Sequence, residues 1–424
     1  MKKKITGVIF GLLFSFILLI PAGCLKDNVR YTYTITRPVY MSLSQARANV
    51  KATAAAPLVS IGKIYTMGKF VFLNELEKGI HIIDNSNPAG PRNIGFINIP
   101  GNEDMAIHGN TLYADSYTDL LAIDITNPQS IVVKKTLQNI FQSRISYFVV
   151  AGNPDSTFVI TDWITKDTTV DYPTGPRYVL PYSVASCSSC MMAANVPAAS
   201  SAPTQGTGGS MAKFTLVNDW LYAVDNPNLD AIQISSPEDP QLIKEVQVGF
   251  QIETIYPFKD KLFIGANNGV FMYDIQNNPG DPAPAGEFTH VRACDPVIAD
   301  DKYAWVTLSD GTRCQGFDNE LQILDISNFG SPSLVKTYPM THPLGLAKDG
   351  EILFLCDTRD GLKVYNAADP SNLQLLRHFK DASPMDVIAM NGLALVLAEE
   401  GLFEYDYSDI GNIRLVGKLT VSKN

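Results

Sequence analysis

The tract Gly79–Pro88, GIHIIDNSNP, decides how this chain folds. It joins an alternating apolar strand to a polar end residue, Asp84, and then to a turn built from Asn, Ser and Pro. The same phrase returns as LLAIDITNP at 120–128, ELQILDISN at 320–328 and GLKVYNAADP at 361–370. Recurrence of this kind marks stacked copies of one supersecondary unit. Around the first copy the unit reads GKIYTMG, KFVFLNE, GIHIID, NSNPAGP and RNIGFINIP, over residues 62–100. Four short alternating strands in about 40 residues, punctuated by Gly, Asn, Asp and Pro, fit an antiparallel propeller blade. The β-branched and aromatic content excludes a helical repeat.

The polar strand ends provide a ruler: Asp84, Asp124, Gln233, Asp274, Asp325, Asn366 and Asp406, with steps of 40, 109, 41, 51, 41 and 40 residues. Four steps equal one blade, and the step of 51 indicates a longer loop in the fifth copy. The step of 109 contains an insertion, residues 140–208. Within it, 145–150, 157–161 and 167–182 read as strands, but no Asp-x-x-Asn-Pro turn follows them. Residues 183–210 are uncharged and rich in Ser, Ala, Gly and Pro, which is the composition of a mobile loop. The expectation is all-β: a seven-bladed propeller of four-stranded antiparallel blades, forming a single domain over 58–420. Eight blades are the alternative, with the gap folded as a degenerate blade. The turn needs no functional explanation, because Asp and Asn side chains accept from N–H groups two residues ahead and Pro pre-sets φ.

The N-terminus supplies an address. Lys2, Lys3 and Lys4 precede the apolar run Val8 to Ile20, a charged region followed by a core too short to span a bilayer. Pro21-Ala22-Gly23-Cys24 closes the run and resembles the lipobox of bacterial lipoproteins, which implies removal of residues 1–23 and lipidation of Cys24. Ordinary cleavage near Ala22 is the alternative. Leu25-Lys26-Asp27-Asn28 resembles the short tag that follows the cysteine in surface-exported lipoproteins of the Bacteroidetes. Residues 24–57 then read as a lipidated tether with a short helix, opened by Ser42-Leu43-Ser44-Gln45 as a capping box. The expected location is the outer membrane, at the cell surface or on its periplasmic side.

The tracts FVFLNELEKGIHIIDNSNPAGP, LYADSYTDLLAIDITNP, AWVTLSDG…LQILDISN and LFLCDTRDGLKVYNAADP resemble the LVIVD-repeat proteins, a β-propeller family of bacterial surface and exported proteins. The resemblance covers 58–420 apart from the insertion. It implies fold and carries no single chemistry.

Acidic residues number 43 against 33 basic ones, for a net charge of −10. Such a surface, with no basic cluster, repels phosphate backbones, so nucleic acid is excluded as a partner. Alternate residues of innermost strands face a propeller's axis. Aligned on the following turn, one such position reads Lys63, Asp104, Lys213, Thr254, Asp295, Leu344 and Asp386. Five charges meeting at a channel mouth form either a self-satisfying ion-pair ring or a site for a ligand or a divalent cation such as calcium. The cation would fall to Asp104, Asp295 and Asp386. No other cofactor is implied.

Of six cysteines, Cys294 and Cys314 fall at the same face of one blade and are expected to pair. Cys187 and Cys190 form a CxxC without a thioredoxin-like context or a second half of a zinc shell, so a local disulfide is the simplest reading. Cys356 is expected to be a buried thiol. Among the histidines, His81, His108, His290, His342 and His378, there is no metal-binding spacing, and no nucleophile elbow, Walker loop or Rossmann fingerprint is present. His290, His342 and Asp295 are placed to meet near one face. Trp163, Tyr172, Tyr178 and Tyr182 put aromatics beside the polar tract of the insertion, as a docking surface or as cover for a blade edge. The expected function is a binding or scaffold module held to the membrane by lipid, with a protein or glycan partner. The alternative is an envelope enzyme using the channel mouth.

Overall fold

The computed structural model describes residues 28–142, 147–149, 157–173, 205–249, 251–289, 296–310 and 318–422. The chain divides into two compact units, Met1–Val39 with Asp162–Cys187, and Tyr40–Thr161 with Ser188–Asn424.

The larger unit contains seven antiparallel sheets, each with four consecutive strands. Blade 1 is Ile61–Met67, Phe70–Glu75, Gly79–Asp84 and Arg92–Asn98. Blades 2 to 7 start with inner strands Met105–His108, Phe214–Val217, Ile252–Phe258, Val297–Ala299, Pro343–Asp349 and Pro384–Met390. Their outer strands are Val132–Leu137, Gln241–Gln247, Ala283–Thr289, Ser333–Pro339, Gln374–Phe379 and Arg414–Thr420. Seven blades therefore stand, and among the described residues the insertion adds no eighth. Middle strands are buried on both faces, as with FVFLNE and GIHIID, while outer strands such as Gln241–Gln247 face solvent.

The repeated turn works as its chemistry dictates. Asp84 Oδ1 accepts from the Ser86 N–H at 3.0 Å and from the Ser86 hydroxyl at 2.6 Å, which hold its carboxyl down at about 2. The same contact recurs from Thr126 to Asp124, Gln276 to Asp274, Ser327 to Asp325, Ala368 to Asn366 and Ser408 to Asp406. The turn also locks neighbouring blades. Its proline carbonyl accepts a tyrosine hydroxyl from the preceding blade, Tyr113 to Pro237, Tyr222 to Pro279 and Tyr338 to Pro370, at 2.8, 2.8 and 2.9 Å.

Blades 1 and 7 meet without exchanging a strand. Leu58, Ile61, Ile64, Val71, Leu73 and Ile83 pack with Ile388, Leu395, Leu397 and Leu402. The Ser422 N–H donates to Leu58 O at 2.7 Å, and Asn85 Nδ2 donates to Glu404 Oε2 at 3.0 Å. Apolar burial therefore closes the ring where a shared ladder is missing.

Residues before the ring take part in it. The helix Leu43–Ala48 carries the capping box, with Ser42 Oγ accepting from the Gln45 N–H and Gln45 Oε1 accepting from the Ser42 N–H. Lys51–Thr53 pairs with Phe96–Asn98 as an added outer strand of blade 1. In the insertion, Thr157–Pro173 lies between Asn28–Ser42 and Tyr147–Val149 in a separate sheet. In the smaller unit, Thr32 bonds Thr169, Thr34 bonds Asp167 and Thr36 bonds Thr165, a register that runs antiparallel. Among the described residues no helix is long and apolar enough to cross a membrane.

Candidate functional site: the occupied axis and the loop face

Of the inner-strand positions singled out in the sequence, Lys63, Asp104 and Asp386 bond a stretch of the chain itself, and Asp295 lies outside the described residues. The stretch Gln205–Lys213, returning from the insertion, crosses from blade to blade. Gly206 N–H donates to Ile107 O at 2.9 Å and Gly209 N–H to Ile64 O at 3.1 Å, while Ile255 N–H donates back to Ala212 O at 2.8 Å. Thr207–Gly208 pairs with Tyr65–Thr66 as an inner strand on blade 1.

The axial charges grip this stretch. Asp386 Oδ1 accepts from the Ser210 N–H at 2.8 Å, the Ser210 hydroxyl at 3.0 Å and the Val387 N–H at 2.9 Å. Ser210 Oγ in turn accepts from Leu346 N–H at 2.6 Å. Lys63 Nζ donates to Met211 O at 2.7 Å and stands 3.8 Å from Asp104 Oδ2. The Lys213 N–H donates to Asp104 Oδ2, and its ammonium pairs with Glu103 at 2.6 Å. Lys63, Asp104, Thr254 and Asp386 are buried. Burial pushes the Asp386 carboxyl up to about 7 and the Lys63 ammonium down to about 8. A methyl on Gly209 or Gly345 would overlap Asp386, so these glycines let backbone reach the carboxyl.

Residues 205–210 were expected to belong to a mobile loop. Their small side chains instead reflect crowding at the axis, where Gly206 lies against Tyr65 and Gly209 against Asp386. Ser210 was not singled out, and the signal available was the run Gly208-Gly209-Ser210 directly before an inner strand.

Starts of inner strands and ends of second strands share one face of an antiparallel blade, and there carboxylates pin the loops. Asp357 accepts from the N–H groups of Thr341 and His342 at 2.9 and 2.7 Å and from Lys363 at 2.7 Å. Glu75 does the same for Val59 and Ser60, at 3.0 and 2.6 Å, and bonds His81 at 3.0 Å. His342 Nδ1 sits 2.6 Å from Asp310, which Arg359 also contacts at 3.1 Å. Asp360 is held at about 2 by Lys380 and Lys363. Beside it opens a polar cleft of about 330 Å³ walled by Thr358, Arg359, Lys380, Asp381, Ser383 and Glu400.

Asp295, His290, Tyr178, Tyr182 and the cysteines 24, 187, 190, 294 and 314 lie outside the described residues, as do the side chain of Tyr172 and the pairing of the cysteines. Within the described residues the partner of His342 is Asp310, Cys356 is a buried free thiol, and no group of three metal-ligating side chains occurs. Trp163 is exposed.

LVIVD repeats match residues 102–138 and 314–340, within blades 2 and 5. None of the curated proteins matches this sequence. Solved structures share the fold at low identity. The computationally designed Ika8 protein has a TM-score of 0.52 at 9% identity, over 87% of this chain and 91% of that one. The periplasmic gluconolactonase PpgL of Pseudomonas aeruginosa has 0.52 at 10%, over 88% and 96%. A functionally unknown protein from Desulfotomaculum acetoxidans has 0.51 at 13%, over 84% and 100%.

Proposed function

We propose that this protein is a binding module of the bacterial envelope, tethered by lipid at Cys24 and presenting its loop face to a protein or glycan partner. One observation carries the reading. At the axis, where a propeller can hold a small ligand, Gln205–Lys213 crosses between blades, and Lys63, Asp104 and Asp386 bond that stretch. A polar cleft opens on the loop face, where ion pairs and side-chain-to-backbone bonds stiffen the turns, and rigid loops on a stiff frame suit recognition. The LVIVD repeats support the propeller frame of this reading, and the N-terminal lipobox-like tract supports its envelope address.

Site-specific photocrosslinking on intact cells tests it. Probes at Arg359 and Lys380 should capture a partner, whereas probes at Asn87 and Asn127, in turns of the opposite face, should not. Capture from the opposite face alone, or equal capture from both, contradicts the proposal. Labelled fatty acid should enter the wild-type chain and fail to enter Cys24→Ser.

A further inference from the structure

The segment before the ring builds a second cleft. Lys51–Thr53 lies along the outer edge of blade 1, and the preceding helix is fixed to blade 2 by Arg47, whose Nε and Nη2 donate to Asp119 at 2.6 and 3.0 Å. Between this segment and the loop-face turns of blades 1 and 2 is an open cleft of about 310 Å³, which suits roughly one or two sugar rings. Its walls include Lys51, Lys78, Glu77, Asn49, Asn98 and Tyr117.

The walls are held in place. Glu77 and Tyr117 both take positive φ, 58° and 54°, which costs energy for residues of this kind and persists only under outside constraint. Glu77 N–H donates to Asn102 O at 3.0 Å and its carbonyl accepts from Gly101 at 2.8 Å. The Tyr117 ring rests on Gly101, where no Cβ would fit, and its hydroxyl donates to Ile160 O at 3.1 Å. Lys78 Nζ donates to Thr161 O at 2.8 Å and Asn98 Nδ2 to Asn49 O at 2.8 Å, which aims both heads across the cleft. Lys51 makes no ion pair among the described residues.

This combination selects a ligand class. Amides and a carboxylate serve vicinal hydroxyls, an aromatic ring serves a sugar's C–H face, and two ammonium groups call for an anionic substituent. A largely apolar ligand would desolvate the Lys51 ammonium without pairing it. We propose that the cleft binds a carboxylated sugar, with Lys51 and Lys78 on its carboxylate and Asn98 and Glu77 on its hydroxyls. The assignment rests on the binding-module reading and gives it a ligand class.

Calorimetry on the whole chain tests it, with digalacturonate, maltose and the dipeptide Glu-Glu as probes. Digalacturonate should bind saturably, at least about tenfold more tightly than either other probe. Lys51→Glu should weaken it at least about tenfold without moving the melting temperature, and Asn98→Asp should weaken it at least about tenfold with a small fall in melting temperature, because it also loses the bond to Asn49 O. Absence of digalacturonate binding, equal binding of the dipeptide, or full affinity in both variants overturns the assignment. Crosslinking from Arg359 that persists when sugar binding fails removes the cleft alone, and failure of both removes the binding-module reading as well.

Discussion

At Asp386 one carboxylate oxygen holds Ser210, while Oδ2 is buried with no hydrogen-bond partner among the described residues. That imbalance makes the group a titrating element of the axis. Its folded pKa, about 7, lies above the unfolded value near 4. The native state therefore holds the proton more tightly, and the stability this contributes is full below about pH 4 and is lost as pH rises through about 7. Lys63, the nearest cation, runs the other way and changes only at about pH 8 and above, and the Cys356 thiol nearby is pushed well up by burial. Asp386→Asn keeps an acceptor for Ser210 and drops the charge. Its stability should match the wild type near about pH 4 and exceed it near about pH 7, by up to about 4 kcal/mol, in pH-dependent thermal unfolding. A constant difference across that range contradicts the account. Gly209→Ala forces a methyl into the same carboxyl and should cost about 1–3 kcal/mol in denaturant titration. Asp104 Oδ1 accepts from Met105 N–H and Oδ2 from Lys213 N–H, so calcium or EDTA should leave the melting curve in place.

Between residues and ring stands the turn, and at this scale the sequence was most legible. The polar end residue, the proline and the alternation before them are local features, so seven copies and their spacing could be read directly. What could not be read is what each turn touches. The Tyr113, Tyr222 and Tyr338 hydroxyls reach prolines 124, 57 and 32 residues away, contacts that no local pattern reveals. Replacing each tyrosine by Phe should cost about 1 kcal/mol, and the three should add, since the sites are far apart. That Lys63, Asp104 and Asp386 share one position was legible, because inner strands align on their turns. Its occupant was not, since a glycine-rich return reads as a loop unless one knows that Asp386 and Tyr65 crowd it. The cleft beside Lys51 was also hidden, because the tether that forms it shows no sign in sequence of pairing with Phe96–Asn98.

As a whole, the ring is sealed by side chains at the seam of blades 1 and 7 and along the axis by the crossing stretch. Both devices join residues distant in sequence, so opening either should require unfolding on a larger scale. Hydrogen exchange read by mass spectrometry tests this most directly. The account predicts that the amides of Gly206, Gly209, Ser210 and Lys213 exchange as slowly as those of the inner strands Ile61–Met67 and Pro384–Met390. Exchange of those four amides at the rate of exposed turns such as Ser86–Gly90 would contradict an axis filled by the chain's own residues.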